Sequence, residues 1–242
     1  MSTANDQSKP KARKGADGML IADKGSYVLT VFQCQPPIAP RKRNGWMHLI
    51  CFGEAYHLGE NHWYNDQDHF MREMYLDVVG HDEHGARRYE RMVEIVHILS
   101  WRTHNEWAVD ESLLRMIRTK YIIYPLMITG NGSMVMMTET VFPLPEKHIG
   151  WVYAERTVAL RQVGRTSFSA SSHNAIRQMI SQAVSEHNQH MQGQCYGYEL
   201  YRYGRCVDSD CEICGDLLLA IQQIESRLPA ACRGMTRLLE SG

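Results

Sequence analysis

The chain has 242 residues, of which 44% are hydrophobic and 22% charged, and its formal net charge is −1. A chain of this length can bury a core without disulfides, and its composition is that of a folded soluble domain rather than a disordered or fibrous protein. The near-neutral charge excludes a global electrostatic attraction to nucleic acid, so any basic binding surface must be local.

The N-terminal segment, residues 1–18, is polar and basic and has no apolar periodicity. It predicts a disordered tail that precedes an α+β globular region over residues 19–242. The chain shows neither the apolar core of a secretory signal peptide nor an apolar run of about 20 residues that could cross a membrane. We therefore expect a cytoplasmic protein whose seven cysteines are not a disulfide framework.

The first half of the globular region predicts two strands and then three helices. The strands are expected at 26–34 and 46–53, where β-branched and aromatic residues are frequent. Apolar residues then recur at helical spacing after Asp66 or Asp68, either of which could cap the helix, over about 86–101 and after Asp110.

The second half returns to strands around a strong hairpin signal, Gly130-Asn131-Gly132-Ser133. Segments 120–129, 134–142 and 151–163 predict a central three-stranded antiparallel meander. The remaining expected elements are a helix at 173–191, a strand at 195–204 and a helix at 216–228. The order predicts an α+β fold of antiparallel sheets packed by several helices, with a C-terminal Cys-rich knuckle and a subdivision, if there is one, near 103–110 or 143–150.

Four of the cysteines crowd into one short part of the chain: Cys195, Cys206, Cys211 and Cys214. Cys211 and Cys214 form a Cys-x-x-Cys pair followed by Gly215, an arrangement in which two thiolates chelate one ion across a tight turn. Thiolate ligands favour zinc among the common metals of a reducing cell. We predict a structural zinc site formed by these four cysteines, with His187 and His190 as alternate ligands. Cysteines without metal, or a redox-active pair, are the open alternatives, and the acidic neighbours disfavour a reactive thiolate.

Basic and aromatic residues form a second group of candidates, for binding a partner. They are Lys9, Lys11, Arg13 and Lys14 in the tail, Arg41, Lys42 and Arg43 in the loop before the second strand, and Tyr201, Arg202 and Tyr203 near the cysteines. Tyrosine and arginine are enriched in protein interfaces and also stack on single-stranded nucleic acid.

The leading functional hypothesis is a non-enzymatic binding or regulatory protein, such as an inhibitor or accessory factor of a protein or nucleoprotein complex. The usual nucleophile-elbow and phosphate-loop motifs are absent from the sequence. One alternative is a metal-dependent enzyme that uses the His/Asp/Glu-rich loop 54–69, where His57, His62 and His69 lie among several carboxylates. Another is a nucleic-acid-binding protein that uses the basic tail and the Tyr/Arg strand.

Overall fold

The computed structural model describes residues 11–15, 18–34 and 45–239. The strands in these residues are β1 (Lys11–Lys14), β2 (Leu20–Lys24), β3 (Tyr27–Gln33), β4 (His48–Cys51), β5 (Tyr121–Ile128), β6 (Met134–Met136), β7 (His148–Glu155), β8 (Cys195–Arg202) and β9 (Arg205–Cys214). The α-helices are α1 (Gln67–Val79), α2 (Glu83–Thr103), α3 (Ala108–Lys120), α4 (Arg156–Gln162), α5 (Ala170–Met191), α6 (Leu217–Arg227) and α7 (Met235–Leu239). No helix within the described ranges is both long and apolar enough to cross a bilayer.

The chain divides into two compact units. Unit 1 comprises residues 1–38 and 186–242, and unit 2 comprises residues 39–185. The subdivision points that the sequence suggested, near 103–110 and 143–150, therefore both lie within unit 2. The predicted α+β class with antiparallel sheets is confirmed, because each unit contains one antiparallel sheet together with helices.

Unit 1 contains a five-stranded sheet in the order β1-β2-β3-β8-β9, in which the first three strands form a meander. Side chains alternate across a strand, so Ala22, Leu29 and Leu200, which are paired in register, lie on one buried face. Apolar residues of α6, including Ile221 and Ile224, belong to the same hydrophobic core. The face of α6 that carries them follows the helical spacing expected from the sequence.

Strand β1 lies in the segment for which the sequence predicts a disordered tail. Its backbone pairs with β2, with Lys11 opposite Asp23 and Ala12 opposite Ala22. Helix α7 also contacts both strands. The order comes from non-local backbone pairing, which the polar composition of the tail does not reveal.

Unit 2 contains a four-stranded sheet in the order β4-β7-β5-β6. The hairpin predicted at Gly130–Ser133 is confirmed, since β5 and β6 pair across it and Gly132 has a φ of 81°. The next strand, β7, pairs with β5 and β4 rather than with β6. It also ends at Glu155, where the sequence predicts a strand to residue 163. Ala159, Leu160 and Val163 pack on the core at helical spacing, and this favours α4 over a longer strand.

Both faces of the unit 2 sheet are covered by helices. On one face, Leu49 and Val152 belong to the same core as Ile176 and Ile180 of α5. On the other face, Trp151 shares a core with apolar residues of α1 and α3. Helix α1 begins where predicted, because the Asp66 carboxylate caps it by accepting the His69 backbone N–H at 2.8 Å.

Candidate metal centre

Three potential metal ligands of unit 1 come together at one end of its sheet: His190, Cys195 and Cys214. Their ligand atoms all lie within 4.8 Å of one another. They come from the C-terminal end of α5, the first residue of β8 and the last residue of β9. Among the described residues, no other group of three or more histidine, cysteine or carboxylate side chains lies close enough together to hold a metal ion.

Cys195 lies at the centre of this group. Its sulfur is 3.3 Å from His190 Nε2 and 3.3 Å from the Cys214 sulfur. The second distance is well above the roughly 2.05 Å of a disulfide bond, so the two cysteines are not joined by a disulfide. Cys195 is 1% exposed and His190 is 5% exposed, whereas Cys214 is half-buried. The group is therefore largely shielded from solvent.

The local sequence explains how the three side chains meet. Gly193, with a φ of 71°, follows the end of α5 and its N–H donates to the His190 carbonyl, so the chain turns at once into β8. Cys195 then lies directly opposite Cys214 in the β8–β9 register. Directly opposed residues on antiparallel strands have Cβ atoms about 5 Å apart, which places their side chains in contact. The Asp216 side chain caps the start of α6 by accepting the Leu219 N–H, and this fixes the exit of the chain from β9.

The structure places the four predicted cysteine ligands differently from the expected knuckle. Residues 206–214 form most of strand β9 instead of a turn. In an extended strand, residues three apart are separated by about 10 Å, so the Cys211 and Cys214 pair does not chelate across a turn as predicted. Cys206 pairs in register with Tyr201 near the opposite end of the hairpin and is exposed, so it is far from Cys214. Of the six predicted ligands, the structure gathers Cys195, Cys214 and the alternate His190.

The other two candidates do not join the group. Cys211 is exposed, at an irregularity in the β8–β9 pairing. His187 is buried, at 7% exposure, one helical turn before His190 on α5. Neither belongs to the set of ligand atoms that lie within 4.8 Å of one another among the described residues.

Two other cysteines show what isolated burial does to a thiol. Burial raises the pKa of the Cys51 thiol to about 12, and this thiol donates to the Met134 sulfur at 3.9 Å. Burial also raises the pKa of Cys232, which lies in the apolar core of unit 1. Within the described residues neither thiol belongs to a group of possible metal ligands, so both are core side chains, distinct from the candidate metal centre.

The histidine-rich loop 54–69 does not collect its histidines at one point. His57 contacts the backbone carbonyl of Glu54 at 3.0 Å, and His62 Nε2 contacts that of Cys51 at 2.8 Å. His69 Nε2 lies 3.9 Å from a Glu73 carboxylate oxygen. Within the described residues, none of the three histidines belongs to a group with metal-ligand geometry.

The predicted partner-binding residues are only partly described. Lys9, Arg41, Lys42 and Arg43 lie outside the described residues. Lys11, Arg13 and Lys14 lie on β1, and Tyr201, Arg202 and Tyr203 lie at the end of β8 and in the turn after it.

The sheet of unit 1 separates these residues by face. The register runs from Lys11 through Asp23 and Val28 to Tyr201, which places Lys11 and Tyr201 on the same face of the sheet. Arg13, two residues from Lys11, shares that face and lies 4.0 Å from the Asp23 carboxylate. Acidic side chains therefore accompany the basic ones, and the face is mixed in charge.

Comparison with known proteins returns no match: no protein-family model, no curated protein and no solved structure matches the chain.

Proposed function

We propose that this chain is a zinc-binding protein in which His190, Cys195 and Cys214 hold a structural metal ion in unit 1. The observation that carries the proposal is the convergence of one imidazole nitrogen and two thiol sulfurs within 4.8 Å of one another. Two thiolates and an imidazole are a ligand set that zinc prefers.

The distances are close to those that a tetrahedral ion requires. With zinc–sulfur bonds of about 2.3 Å, two thiolate sulfurs on one tetrahedral ion lie about 3.8 Å apart. The sulfurs of Cys195 and Cys214 are 3.3 Å apart, so a separation by about half an ångström would accommodate the ion. Changes in side-chain rotamer alone can supply such a shift.

A structural role fits the position of the site better than a catalytic role. Catalytic zinc sites keep an open position for water and substrate, whereas structural sites are closed. Here His190 and Cys195 are at most 5% exposed. The ion would join the C-terminal end of α5 to the paired strands β8 and β9.

The test is metal analysis of the purified full-length chain. We expect about one equivalent of zinc, and loss of that zinc in Cys195→Ser and in Cys214→Ser. Cys206→Ser is the matched control, because Cys206 is an exposed cysteine of the same strand and should leave the metal content unchanged. His187→Ala tests separately whether the second buried histidine of α5 supplies a fourth ligand.

Cobalt substitution gives an independent spectroscopic measurement. Two thiolate ligands give cobalt an intense near-ultraviolet charge-transfer band, which should weaken in each single-cysteine variant. A metal-free chain that binds neither ion, or one whose metal is removed by Cys206→Ser instead, contradicts the proposed site.

The broader role that we propose is a non-enzymatic binding protein, with the zinc ion bracing the unit that carries the partner surface. The support is that Lys11, Arg13 and Tyr201 share one face of the same sheet. A capture experiment with the full chain and an Arg13→Glu/Tyr201→Ala variant tests this role. A partner retained equally by both proteins would count against this face.

A further inference from the structure

We propose that unit 2 contains a second binding site, for the phosphate group of a small phosphorylated molecule, in a cavity lined by Arg118, Arg156 and His173. The cavity has a volume of about 550 Å³. It lies beside the C-terminal end of α3, the strand β5 and the N-terminal part of α5. All of its lining residues belong to unit 2, so this inference does not depend on the metal centre.

The two lining arginines are held in place by neutral oxygen acceptors. Arg118 donates to the Thr140 hydroxyl at 2.8 Å. Arg156 donates to the backbone carbonyls of Arg118 and Thr119 at 3.2 and 3.4 Å, and its guanidinium lies 3.9 Å from the centre of the Phe168 ring. These contacts orient both guanidinium groups without neutralising them, which leaves their charge to attract an anion.

A third arginine adds to the positive field. Arg177 follows His173 by one turn of α5. Within the described residues, neither it nor Arg118 nor Arg156 forms an ion pair with a carboxylate. One acidic residue, Glu139, lines the cavity and is exposed, so the cationic side chains outnumber it.

The pKa of His173 reflects the same positive charges. Partial burial, and then the charges of Arg177, Arg156 and Arg118, lower the pKa of the imidazole. His173 Nε2 also lies 2.9 Å from the Tyr124 hydroxyl, in a pair that places polar hydrogen-bonding groups at the cavity wall. One of the two protons of this pair lies in the hydrogen bond between them, so the pair can donate one hydrogen bond to an anion without a further charge.

The number and chemistry of these groups favour phosphate over a carboxylate. Guanidinium groups bind phosphate oxygens through paired, charge-assisted hydrogen bonds, and a phosphate monoester carries close to two negative charges at neutral pH. The wall also includes apolar side chains such as Ile123, Val141 and Phe168. A cavity of this size and mixed lining is typical of sites for small organic ligands. We therefore expect an organic phosphate rather than the bare ion as the preferred ligand.

Calorimetric titration of the full chain as purified tests the proposal. Phenyl phosphate, phenol and inorganic phosphate are the three probes. We expect phenyl phosphate to bind, inorganic phosphate to bind more weakly at the same site, and phenol not to bind. Binding of phenol equal to that of phenyl phosphate would overturn the proposal, because it would show that the apolar wall alone provides the affinity.

Arginine variants locate the binding. Arg118→Gln and Arg156→Gln should each weaken phenyl phosphate binding about tenfold or more, as expected for the loss of a charge-assisted hydrogen bond. Arg161→Gln is the matched control, since Arg161 is an exposed arginine on the same helix as Arg156 and does not line the cavity.

Arg156 also donates hydrogen bonds to backbone carbonyls, so Arg156→Gln could disturb the local fold. Arg156→Lys is therefore a second, milder variant, which keeps the positive charge and removes the planar guanidinium group. It should bind phenyl phosphate with intermediate affinity, and circular dichroism should show that every variant is folded. Absence of phenyl phosphate binding to the wild-type chain at millimolar concentration, or equal affinities in the wild type and in folded Arg118→Gln and Arg156→Gln, overturns the proposal. Zinc content is measured in the same samples, so failure of this site and failure of the metal centre are separate results.

Discussion

The surroundings of His148 in the folded chain disfavour the protonated, charged form of its imidazole. Burial lowers its pKa to about 4, although a hydrogen bond with the Gly150 backbone opposes the shift. Its ring lies against Trp151, with 5.1 Å between the ring centres. Its Nε2 atom is buried and has no hydrogen-bond partner among the described residues. The folded chain therefore holds this imidazole neutral at every pH near neutrality.

The consequence for stability has a definite sign. The unfolded chain takes up the proton at the ordinary histidine pKa of about 6.5, whereas the folded chain does so only near pH 4. The stability contribution is therefore fully present above pH 6.5 and is lost as the pH falls toward 4. A shift of this size corresponds to about 3 kcal/mol in all, and about 2 kcal/mol of it is lost between pH 7 and pH 5.

The perturbation is His148→Phe, which keeps an aromatic ring against Trp151 and removes the titrating group. Urea unfolding at pH 7, 6 and 5, followed by tryptophan fluorescence, measures the effect. All five tryptophans lie between residues 46 and 151 and hence in unit 2, so the signal reports the unit that contains His148. The wild type should lose about 2 kcal/mol more than the variant between pH 7 and pH 5. Equal losses in the two proteins would refute the reasoning.

Two further stability predictions concern backbone packing and a carboxylate. A Cβ atom at Gly150 would lie 1.9 Å from the Ile50 carbonyl oxygen, so Gly150→Ala should destabilise unit 2 by roughly 3 kcal/mol in urea unfolding. Gly130→Ala meets no atom within 4 Å and is the control that should change little. In unit 1, hydrogen bonds from Thr236 and Gly234 outweigh burial and lower the pKa of Glu225 below its ordinary 4.5. The stabilisation that these hydrogen bonds give the folded state should be lost as the pH falls below about 4.5. Glu225→Gln should lower the free energy of unfolding by about 1–3 kcal/mol at pH 7, and it should reduce the loss of structure at acid pH in a circular-dichroism titration. An acid transition identical to that of the wild type would contradict this reasoning.

The parts of the fold that local chemistry determines were predictable from the sequence. The Asp66 cap, the α1 stripe and the Gly130–Ser133 hairpin depend on residues that are close together in the chain, and the structure contains all three. The strand β1 and the end of β7 at Glu155 were not predicted. Both depend on partners that are distant in sequence or on packing against the core, which periodicity alone does not encode.

The candidate metal centre shows the same limit. A Cys-x-x-Cys spacing indicates a chelating turn, but the spacing is the same in an extended strand. The Tyr203-Gly204 turn, which has positive φ at both residues, sets only the first pairs of the hairpin. Two irregularities then shift the β8–β9 register by one residue each, so counting from the turn would place Cys195 opposite residue 212 instead of Cys214. The arginines of the phosphate cavity carry no local motif, because Arg118 and Arg156 meet only through the β5–β7 pairing.

The division of the chain into units also has a consequence for the order of folding. Unit 2 is one continuous segment, whereas the sheet of unit 1 needs Leu29 of β3 to meet Leu200 of β8. During synthesis from the N-terminus, residues 39–185 can complete their own sheet before β8 leaves the ribosome. Until β8 is synthesised, the β1–β2–β3 meander remains an incomplete sheet in which the edge of β3 has no partner strand. The candidate metal ligands, all between residues 190 and 214, emerge in that final stage, so the candidate centre can form only when the split unit closes.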